Sequence, residues 1–376
     1  MNNKKVYLSL LRKTGKFMLI LSVVLMVSIL VIVLFLLIRS PGKMKQFKDE
    51  NGNILKNSIS EKSFVQINGV KMGMFIKSKN RSNPVLLFVH GGPGMPEYFL
   101  TEKYPTGLEN YFTIIWWDQR GAGLSYNSKI KADTMTSKQF VSDTIEVSKY
   151  LCKRFNQKKI YLMGHSWGTF IAIQAAAKAP ELYNAYIGVA QITNTVKTEE
   201  MAYEYMLDYY KERGDEKTVN KLKNITVQSN KYFSIRDEVM HKAGIGTTRD
   251  MKSVIKGIFF PSLLFPEYTF REKINLWIGK NFSFKHTNLW QELNDMDISR
   301  MVTKLNIPVY FFSGVYDYTV CYKMAESYFR ELSAPIKGFY LFGKSAHSPI
   351  FEEPEKVVEI IKKDILNRSN NLADER

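Results

Sequence analysis

A serine between two glycines, in the stretch "KKIYLMGHSWGTFIAIQAAAKAP" from Lys158 to Pro180, strongly constrains the fold of this chain. The pattern G-x-S-x-G arises often by chance, since glycine makes up about 7% of residues in an average protein, so its context decides. The apolar residues before Gly164 predict a buried strand. The alanine-rich run after Gly168 predicts a helix that Pro180 ends. We therefore expect Ser166 on a sharp strand-to-helix turn, at a helix N-terminus where backbone N–H groups point outward.

Apolar strands and helical segments alternate along the rest of the chain. Buried strands are predicted at "NPVLLFV", "FTIIWW", "AYIGVA", "PVYFF" and "GFYLF", and helices at "TSKQFVSDTIEVSKYLCKRF", "MAESYFREL" and "EEPEKVVEIIKKDI". Ahead of them, "SFVQINGVKMGMFIKS" predicts a hairpin that turns at Asn68-Gly69. This alternation predicts an α/β fold with a parallel sheet that helices cover on both faces.

The pattern changes in residues 195–297, where helical signals and aromatic residues dominate and no buried strand is predicted. We interpret this stretch as a helical cap inserted late in the α/β core. The core itself then comprises residues 63–194 and 298–376.

The N-terminal segment 17–38 carries no charged residue, and a helix of this length spans a bilayer core of about 30 Å. A basic tail, residues 1–16, precedes it, and we interpret the polar residues 39–62 as a stalk. A cleavable signal peptide is the alternative, but its apolar region typically has roughly 7–15 residues and ends at a small-x-small site, whereas "RSPGK" follows here. We therefore predict a single-pass anchor in the cell membrane.

The orientation of this anchor is harder to predict, because basic residues flank both of its ends and the positive-inside rule barely separates them. The short basic tail favours a cytoplasmic N-terminus, which would put the large domain outside. The formal net charge of the chain is +17. No nucleic-acid-binding motif accompanies this charge, so we expect attraction to anionic membrane or cell-envelope surfaces and no nucleic-acid partner.

Cysteine and histidine spacing gives no sign of a metal site. Cys152 and Cys321 lie far apart in sequence, and no C-x-x-C motif or Cys/His cluster is present. We therefore expect no metal and no cofactor. The sequence leaves open whether the two cysteines form a bridge.

A serine nucleophile needs a base within hydrogen-bond reach and a third group that orients the base. His347 lies in a loop after the last predicted strand, and Asp317 ends the strand before it. The carboxyl ends of parallel strands meet at one edge of a sheet, where such sheets bind ligands. Ser166, Asp317 and His347 follow one another in that order, which is a known order for catalytic triads. His165 neighbours Ser166, but adjacent residues on a turn point apart, so we expect it to pack beneath.

Three motifs, "HGGPG" (90–94), "DQRGAGLS" (118–125) and "GHSWG" (164–168), resemble those of the proline iminopeptidase branch of the α/β-hydrolase superfamily. The resemblance covers about residues 63–365 and implies an α/β-hydrolase fold with a cap. It implies Ser166 as nucleophile, His347 as base and Asp317 as its orienting acid. It also implies an oxyanion hole formed by the backbone N–H groups of Trp167 and Gly92. Asp118 and Arg120 are expected to brace loops rather than to react.

The resemblance further implies a serine hydrolase that forms an acyl-enzyme, with aminopeptidase activity on short peptides. Family members that remove N-terminal residues hold the free amine with acidic residues of the cap, but the family's W-x-x-W-E segment is not found here. Glu199, Glu200 and Glu204 open the insertion, and Glu292 lies near its end. Because one helical turn separates them, Glu200 and Glu204 share a face, and we predict that they bind substrate.

Two alternatives to an aminopeptidase stay open. One is an esterase of small acyl esters, and the other is a catalytically silent binding protein on a hydrolase scaffold. The complete set of serine, histidine and aspartate argues against the silent scaffold. Haloalkane dehalogenases and epoxide hydrolases are disfavoured, because position 166 is serine rather than aspartate.

Overall fold

A mixed eight-stranded sheet forms the centre of the computed structural model, which describes residues 2–227 and 229–375. The strands are β1 (Ile59–Ile67), β2 (Val70–Ser78), β3 (Val85–Val89), β4 (Thr113–Trp117), β5 (Ile160–His165), β6 (Tyr183–Val189), β7 (Val309–Gly314) and β8 (Lys337–Phe342). Their order across the sheet is β1-β2-β4-β3-β5-β6-β7-β8. The hairpin predicted at Asn68-Gly69 is confirmed: β1 and β2 pair antiparallel on either side of it, and β2 pairs antiparallel with β4. Strands β3 to β8 are parallel, as the alternation predicts.

The described helices follow the same alternation outside one long insertion. They are α1 (Asn2–Ile38), α2 (Ser137–Arg154), α3 (Trp167–Lys178), α4 (Thr195–Glu212), α5 (Glu216–Lys223), α6 (Asn230–Ala243), α7 (Phe260–Leu264), α8 (Phe270–Lys285), α9 (Leu289–Asp295), α10 (Ile298–Met301), α11 (Tyr322–Glu331), α12 (Pro349–Glu352) and α13 (Pro354–Ile360). Single π-helical turns precede α7, at Ile255–Phe259, and follow α13, at Ile361–Ile365.

The sheet separates two hydrophobic cores, because successive side chains of a strand point to opposite faces. On β3, Leu87 and Val89 join the core that contains α2 and α3. Leu86 and Phe88 join the other core, which contains α13 and Leu276 of α8. Burial of both faces explains why the parallel strands are continuous apolar runs in the sequence.

Between β6 and β7 the chain forms a helical insertion, residues 195–297, which contains α4 to α9. Helices α4, α5 and α6 enclose a small core of their own, in which Met206 and Tyr232 are fully buried. Helix α8 packs closely on the loop after β4, since a Cβ on Gly279 would lie 2.5 Å from the carbonyl oxygen of Gly121. The insertion therefore lies over the edge of the sheet where the parallel strands have their carboxyl ends.

Helix α1 contains the predicted anchor. Within residues 2–227 and 229–375, its segment Lys13–Ile38 is the one helix long and apolar enough to cross a membrane, and its most apolar window is fully exposed. A signal sequence near an N-terminus can meet the same criteria of length and composition. The structure therefore shows an exposed apolar helix that fits either an anchor or a signal sequence.

The segment that follows α1, interpreted above as a stalk, lies against the domain. The Gly42 N–H donates to the carbonyl oxygen of Pro266 at 3.1 Å, and the Lys45 N–H donates to Glu267 Oε1 at 2.9 Å. Strand β1 begins at Ile59, so the sheet starts inside this segment rather than after it.

Candidate active site

The structure places Ser166 on the strand-to-helix turn between β5 and α3. Its backbone has φ 53° and ψ −122°, a conformation that costs a non-glycine residue about 1–3 kcal/mol. The flanking glycines allow the close approach that the turn requires. A Cβ on Gly168 would lie 1.8 Å from the carbonyl oxygen of Val89, and one on Gly164 would lie 2.6 Å from the carbonyl oxygen of Gly168. The turn holds Ser166 partly exposed at the N-terminus of α3.

His347 and Asp317 are joined by a hydrogen bond of 3.0 Å between Nδ1 and Oδ2. Asp317 follows β7 and is fully buried, and its other oxygen accepts the Val320 N–H at 2.8 Å. Because a carboxylate only accepts, Nδ1 of His347 carries the proton and Nε2 keeps a lone pair, which a general base needs. No hydrogen bond joins Ser166 Oγ to His347 in the described chain; such contacts often tighten only when substrate binds.

The loop that carries His347 is fastened by Glu352 at the end of α12. Oε2 of Glu352 accepts the N–H groups of Ala346, at 2.9 Å, and Ser348, at 3.3 Å. Its Oε1 accepts the Arg249 N–H of the insertion at 2.6 Å. Burial raises the pKa of Glu352 to about 7, although these N–H groups favour the carboxylate. One side chain thus holds both neighbours of His347 and ties the loop to the insertion.

His165 is buried, as expected for a residue beneath Ser166, but it also makes two specific hydrogen bonds. Its Nδ1 lies 2.8 Å from Glu97 Oε1, and its Nε2 lies 2.9 Å from the carbonyl oxygen of His347. The carbonyl oxygen accepts and so does the Glu97 carboxylate, so these contacts favour an imidazole that carries protons on both ring nitrogens. Burial lowers the pKa of His165, but the Glu97 carboxylate, the His347 carbonyl oxygen and Asp317 together outweigh burial, so the net pKa is raised. His165 therefore links the turn of Ser166 to the loop of His347.

The two backbone groups predicted to form an oxyanion hole lie on the loop after β3 and at the start of α3. Gly92 has φ 120°, and a Cβ there would lie 2.6 Å from the Gly94 nitrogen, so only glycine fits. Trp167 is the first residue of α3, where backbone N–H groups have no partner within the helix. Neither the Gly92 N–H nor the Trp167 N–H has an acceptor among the described residues. Both donors are thus free to bind a substrate oxygen.

Gln119 fixes the relative positions of the three loops that carry the motifs. Its backbone N–H donates to His90 Nε2 at 3.1 Å, and its side-chain amide donates to the His90 carbonyl oxygen at 2.7 Å. Its Oε1 accepts the indole N–H of Trp167 at 3.1 Å. Burial lowers the pKa of His90 to about 4, and its Nε2 already accepts a hydrogen bond. His90 is therefore a neutral brace and not a second base for Ser166.

Asp118 and Arg120 lie in contacts that brace loops. Asp118 Oδ2 accepts the Leu124 N–H at 2.7 Å, and burial raises the pKa of Asp118 to about 8. Arg120 forms two hydrogen bonds with Asp143 of α2, at 2.7 and 2.9 Å. Bidentate pairs of this kind fix geometry as well as add energy.

The glutamates proposed to bind a substrate amine lie in different environments. Glu199 is buried and paired with Arg236 at 2.6 Å, and it also accepts the Tyr232 hydroxyl. Glu200 and Glu204 lie on the exposed face of α4, and no described contact joins either of them to Ser166 or His347. Binding of an amine by these two residues remains a prediction.

The structure also shows the environment of Glu292 and the state of the two cysteines. Glu292 Oε2 accepts the Ser137 N–H at 2.7 Å, at the N-terminus of α2. Cys152 and Cys321 are both free thiols, which answers the question of a bridge. In the part of the chain that the structure describes, no three His, Cys, Asp or Glu side chains form a group suited to a metal ion.

Sequence reasoning missed Glu97 and Glu352, the two carboxylates that hold the candidate site together. Glu97 lies shortly after the "HGGPG" motif and far from His165 in sequence, so no spacing indicates the pair. Glu352 is different, because "SPIFEEPEKV" follows His347 directly and a glutamate near a loop histidine is a visible signal. Its contacts with the loop backbone depend on how α12 folds back.

The mixed sheet with its parallel strands, the serine turn after β5 and the histidine loop after β8 together define the arrangement of α/β hydrolases. Residues 84–234 match the family described as "alpha/beta hydrolase fold". The chain is 34% identical over 307 residues to the probable aminopeptidase YbaC of Bacillus subtilis, covering 80% of this chain and 94% of that protein. It is 25% identical over 314 residues to the proline iminopeptidase of Saccharolobus solfataricus, covering 80% and 91%.

A solved structure, the proline iminopeptidase of Mycobacterium smegmatis, shares the fold with a TM-score of 0.58 at 14% identity. The superposition covers 82% of this chain and 98% of that one. The chain belongs to the α/β-hydrolase family and is related to proline iminopeptidases and to aminopeptidase YbaC.

Proposed function

We propose that this chain is a membrane-anchored serine hydrolase that forms an acyl-enzyme on Ser166 and removes N-terminal residues from short peptides. The hydrogen bond between His347 and Asp317, at the strand ends beside the Ser166 turn, carries the hydrolytic part of the proposal. The aminopeptidase part rests on relatives named as aminopeptidase and proline iminopeptidase.

In the proposed mechanism, His347 Nε2 accepts the Ser166 hydroxyl proton as Oγ attacks the substrate carbonyl. Asp317 holds His347 in the tautomer that leaves Nε2 free and stabilises the imidazolium that forms. The N–H groups of Gly92 and Trp167 bind the developing oxyanion, and removal of one such donor costs about 3–4 kcal/mol in a serine protease. His347 then protonates the leaving amine, and water releases the acyl group by the reverse sequence.

Active-site labelling tests the nucleophile and the silent-scaffold alternative together. The full chain should react covalently with a fluorophosphonate probe, and Ser166→Ala should lose both labelling and turnover while keeping its thermal unfolding transition. Ser125→Ala is a matched control, because Ser125 belongs to a glycine-rich loop but donates to the Asp118 carbonyl oxygen instead. Labelling of the Ser166→Ala protein at the wild-type rate would refute the assignment, and an unlabelled wild type would favour the silent scaffold.

An esterase of small acyl esters is the second candidate, and one observation favours it. An aminopeptidase must recognise a free ammonium, for which a carboxylate in the cleft is the usual device. Glu199 already neutralises Arg236, and Glu200 and Glu204 face solvent. An esterase needs no such carboxylate.

Substrates with free and blocked amines separate the two candidates. We expect faster turnover of prolyl or aminoacyl amides with a free amine than of their N-acetylated forms. Small neutral acyl esters serve as the reference series. Equal cleavage of free and acetylated amides would exclude amine recognition and support the esterase.

We also propose that α1 anchors the protein in the cell membrane, with the catalytic domain extracytoplasmic. The exposed apolar stretch Lys13–Ile38 supports this proposal. The partners are then a short peptide substrate and the membrane, without a cofactor.

A further inference from the structure

The insertion exposes an apolar surface that the proposed reaction does not use. Six of the ten large apolar side chains that are exposed outside α1, among the described residues, lie between Ile255 and Phe284. Five of them form what we call the hairpin face: Ile255, Phe260, Leu264, Ile274 and Ile278, which are 38–61% exposed. Exposed apolar clusters of this kind mark interaction surfaces rather than ordinary protein surface.

The hairpin face belongs to two helices that pack side by side. The π-helical turn and α7 run into the turn 265–269, and α8 returns from it. The Trp277 indole N–H donates to Ser262 Oγ at 3.0 Å, and the rings of Phe259 and Trp277 lie 5.1 Å apart. On α8, Ile274 and Ile278 are one helical turn apart and therefore share a face.

The end of α1 is attached to the turn of this hairpin. The Lys273 ammonium of α8 donates to the Arg39 carbonyl oxygen at 2.9 Å, directly beyond the last residue of α1. Pro41 forms a β-bridge with Thr269, and Gly42 donates to Pro266. The hairpin face thus begins where the apolar stretch of α1 ends, which is the level of the bilayer surface if α1 spans the membrane.

The charges around the hairpin face fit an anionic lipid surface. Residues 252–285 contain six Lys or Arg and two Asp or Glu. Of the two acidic side chains, Glu267 is buried and Glu272 is paired with Lys62 at 2.7 Å. The exposed charge is therefore basic, as in helices that lie in the interface of anionic membranes.

The inner side of α8 contacts the loops of the candidate active site. A Cβ on Gly94 would lie 2.5 Å from Ser283 Oγ, and Gly279 packs against Gly121 in the same way. Helix α8 therefore has one side on the glycine loops and the other on the hairpin face.

We propose that the hairpin face lies in the headgroup region of the same bilayer that α1 crosses, so that the enzyme works at the membrane surface with α8 between lipid and active site. This inference rests on the proposed membrane anchor. Interfacial helices typically bury their apolar side about 5–10 Å into the headgroup and acyl boundary. The fixed attachment of α1 to the turn 265–269 makes this contact a property of the folded domain, not of a flexible tether.

Site-directed spin labelling of the full chain tests the inference. Ile278→Cys is labelled in a Cys152→Ser background, since Cys321 is buried, and the protein is reconstituted in vesicles of phosphatidylcholine and phosphatidylglycerol. Lys153→Cys is the matched control, because it lies on an exposed position of α2, which packs on the opposite face of the sheet. Collision with oxygen and with a water-soluble nickel complex is compared at both sites.

We expect a several-fold higher oxygen-to-nickel ratio at position 278 than at position 153. Equal ratios in protein that remains in the vesicle fraction would overturn the inference while leaving the anchor intact. Spin–spin broadening at position 278 that disappears when unlabelled chain is added would overturn it in favour of a dimer. A full chain that does not enter the vesicle fraction would overturn the anchor and the inference together.

Discussion

Glu97 and His165 are joined by a largely buried hydrogen bond, with Nδ1 of the imidazole 2.8 Å from Oε1 of the carboxylate. The carboxylate also accepts the Gly91 N–H at 3.2 Å, within the glycine loop. The imidazole in turn donates to the carbonyl oxygen of His347. One pair of side chains therefore connects the glycine loop, the turn of Ser166 and the loop of His347. We expect it to act as a positioning device rather than as a reacting group.

Glu97→Gln should lower kcat about tenfold with little change in KM, because hydrogen bonds to charged groups contribute about 1.5–3 kcal/mol. The pKa of His165 is raised in the folded state. Its stabilisation is therefore present below the unfolded pKa of about 6.5 and is lost as pH rises through the folded pKa. The unfolding temperature of the wild type should fall with pH in that range more steeply than that of Glu97→Gln. Parallel curves for the two proteins would show that the pair does not carry this charge.

Substitutions of the proposed base, His347, and of its proposed orienting acid, Asp317, should both lower kcat, but for different reasons. His347→Ala should lower kcat by about three or more powers of ten, since Ser166 then has no proton acceptor. Asp317→Asn should lower kcat by up to about 10⁴-fold, because an amide can hold the wrong tautomer, as in a serine protease. His286→Ala is the control, an exposed histidine at the end of α8. A folded His347→Ala protein with near-normal kcat would reassign the base.

Titration of Glu352, which holds the loop of His347, should make the unfolding free energy of the protein depend on pH. Its folded pKa of about 7 lies above the ordinary glutamate value, because burial disfavours the charge. Its contribution to stability is thus fully present below the unfolded pKa of about 4.3 and is lost as pH rises through about 7. Glutamine is neutral at every pH. The unfolding free energy of Glu352→Gln relative to wild type should therefore rise between pH 5 and pH 8, on the order of 1 kcal/mol.

Denaturant titrations at pH 5 and pH 8 measure this difference directly. Glu353→Gln is the neighbouring control, because Glu353 accepts the Lys344 N–H and the Ser345 hydroxyl instead. A difference between wild type and Glu352→Gln that is constant with pH would contradict the raised pKa.

We propose Glu200 as the residue that binds the substrate amine. If it binds the substrate ammonium, Glu200→Gln should raise KM for a free prolyl or aminoacyl amide and leave small neutral esters unaffected. Glu204→Gln should show a smaller change of the same kind. Asp208→Asn is the control, an exposed carboxylate one turn further along α4. If Glu200→Gln and Asp208→Asn have the same KM as wild type on free amides, the exposed face of α4 does not recognise the amine.

The strands and the serine turn were predictable because their signals are local. Continuous apolar runs reflect burial on both faces of a parallel sheet, and Asn68-Gly69 provides the backbone that a two-residue hairpin needs. The order of Ser166, Asp317 and His347 at strand ends could be read directly from the chain. The strands, the hairpin and the serine turn depend on residues close together in sequence, and each candidate triad residue lies beside such a local signal.

The contact of Glu97 with His165 and the contacts of residues 39–58 with the insertion were not predictable, because they join residues far apart in sequence. Glu97 and His165 come from different loops, and nothing in either loop indicates a pair. The segment 39–58 is polar and has the composition of a linker, yet Pro41 and Gly42 contact Thr269 and Pro266 of the insertion. Propensity and periodicity carry no information on such contacts, since only the tertiary fold brings the partners together.

The attachment of residues 39–58 to the domain determines where the chain can be shortened to remove the proposed anchor. A chain that begins at Arg39 keeps the Lys273 contact with the Arg39 carbonyl oxygen and the bridge between Pro41 and Thr269. It should be soluble and as active as the full chain on small substrates. A chain that begins at Met44 loses these contacts and should unfold at a lower temperature.

The full chain should pellet with membranes, and the orientation follows from a reporter at the other end. Alkaline phosphatase folds to an active enzyme only outside the cytoplasm, where its disulfides form. Fused after Arg376, it should be active if the basic tail stays in the cytoplasm and the domain lies outside. A fusion to the chain that begins at Arg39 should be inactive, because it lacks the apolar stretch that directs export. A well-expressed but inactive full-length fusion would reverse the orientation. Soluble protein whose N-terminus lies after α1 would identify α1 as a cleaved signal sequence instead.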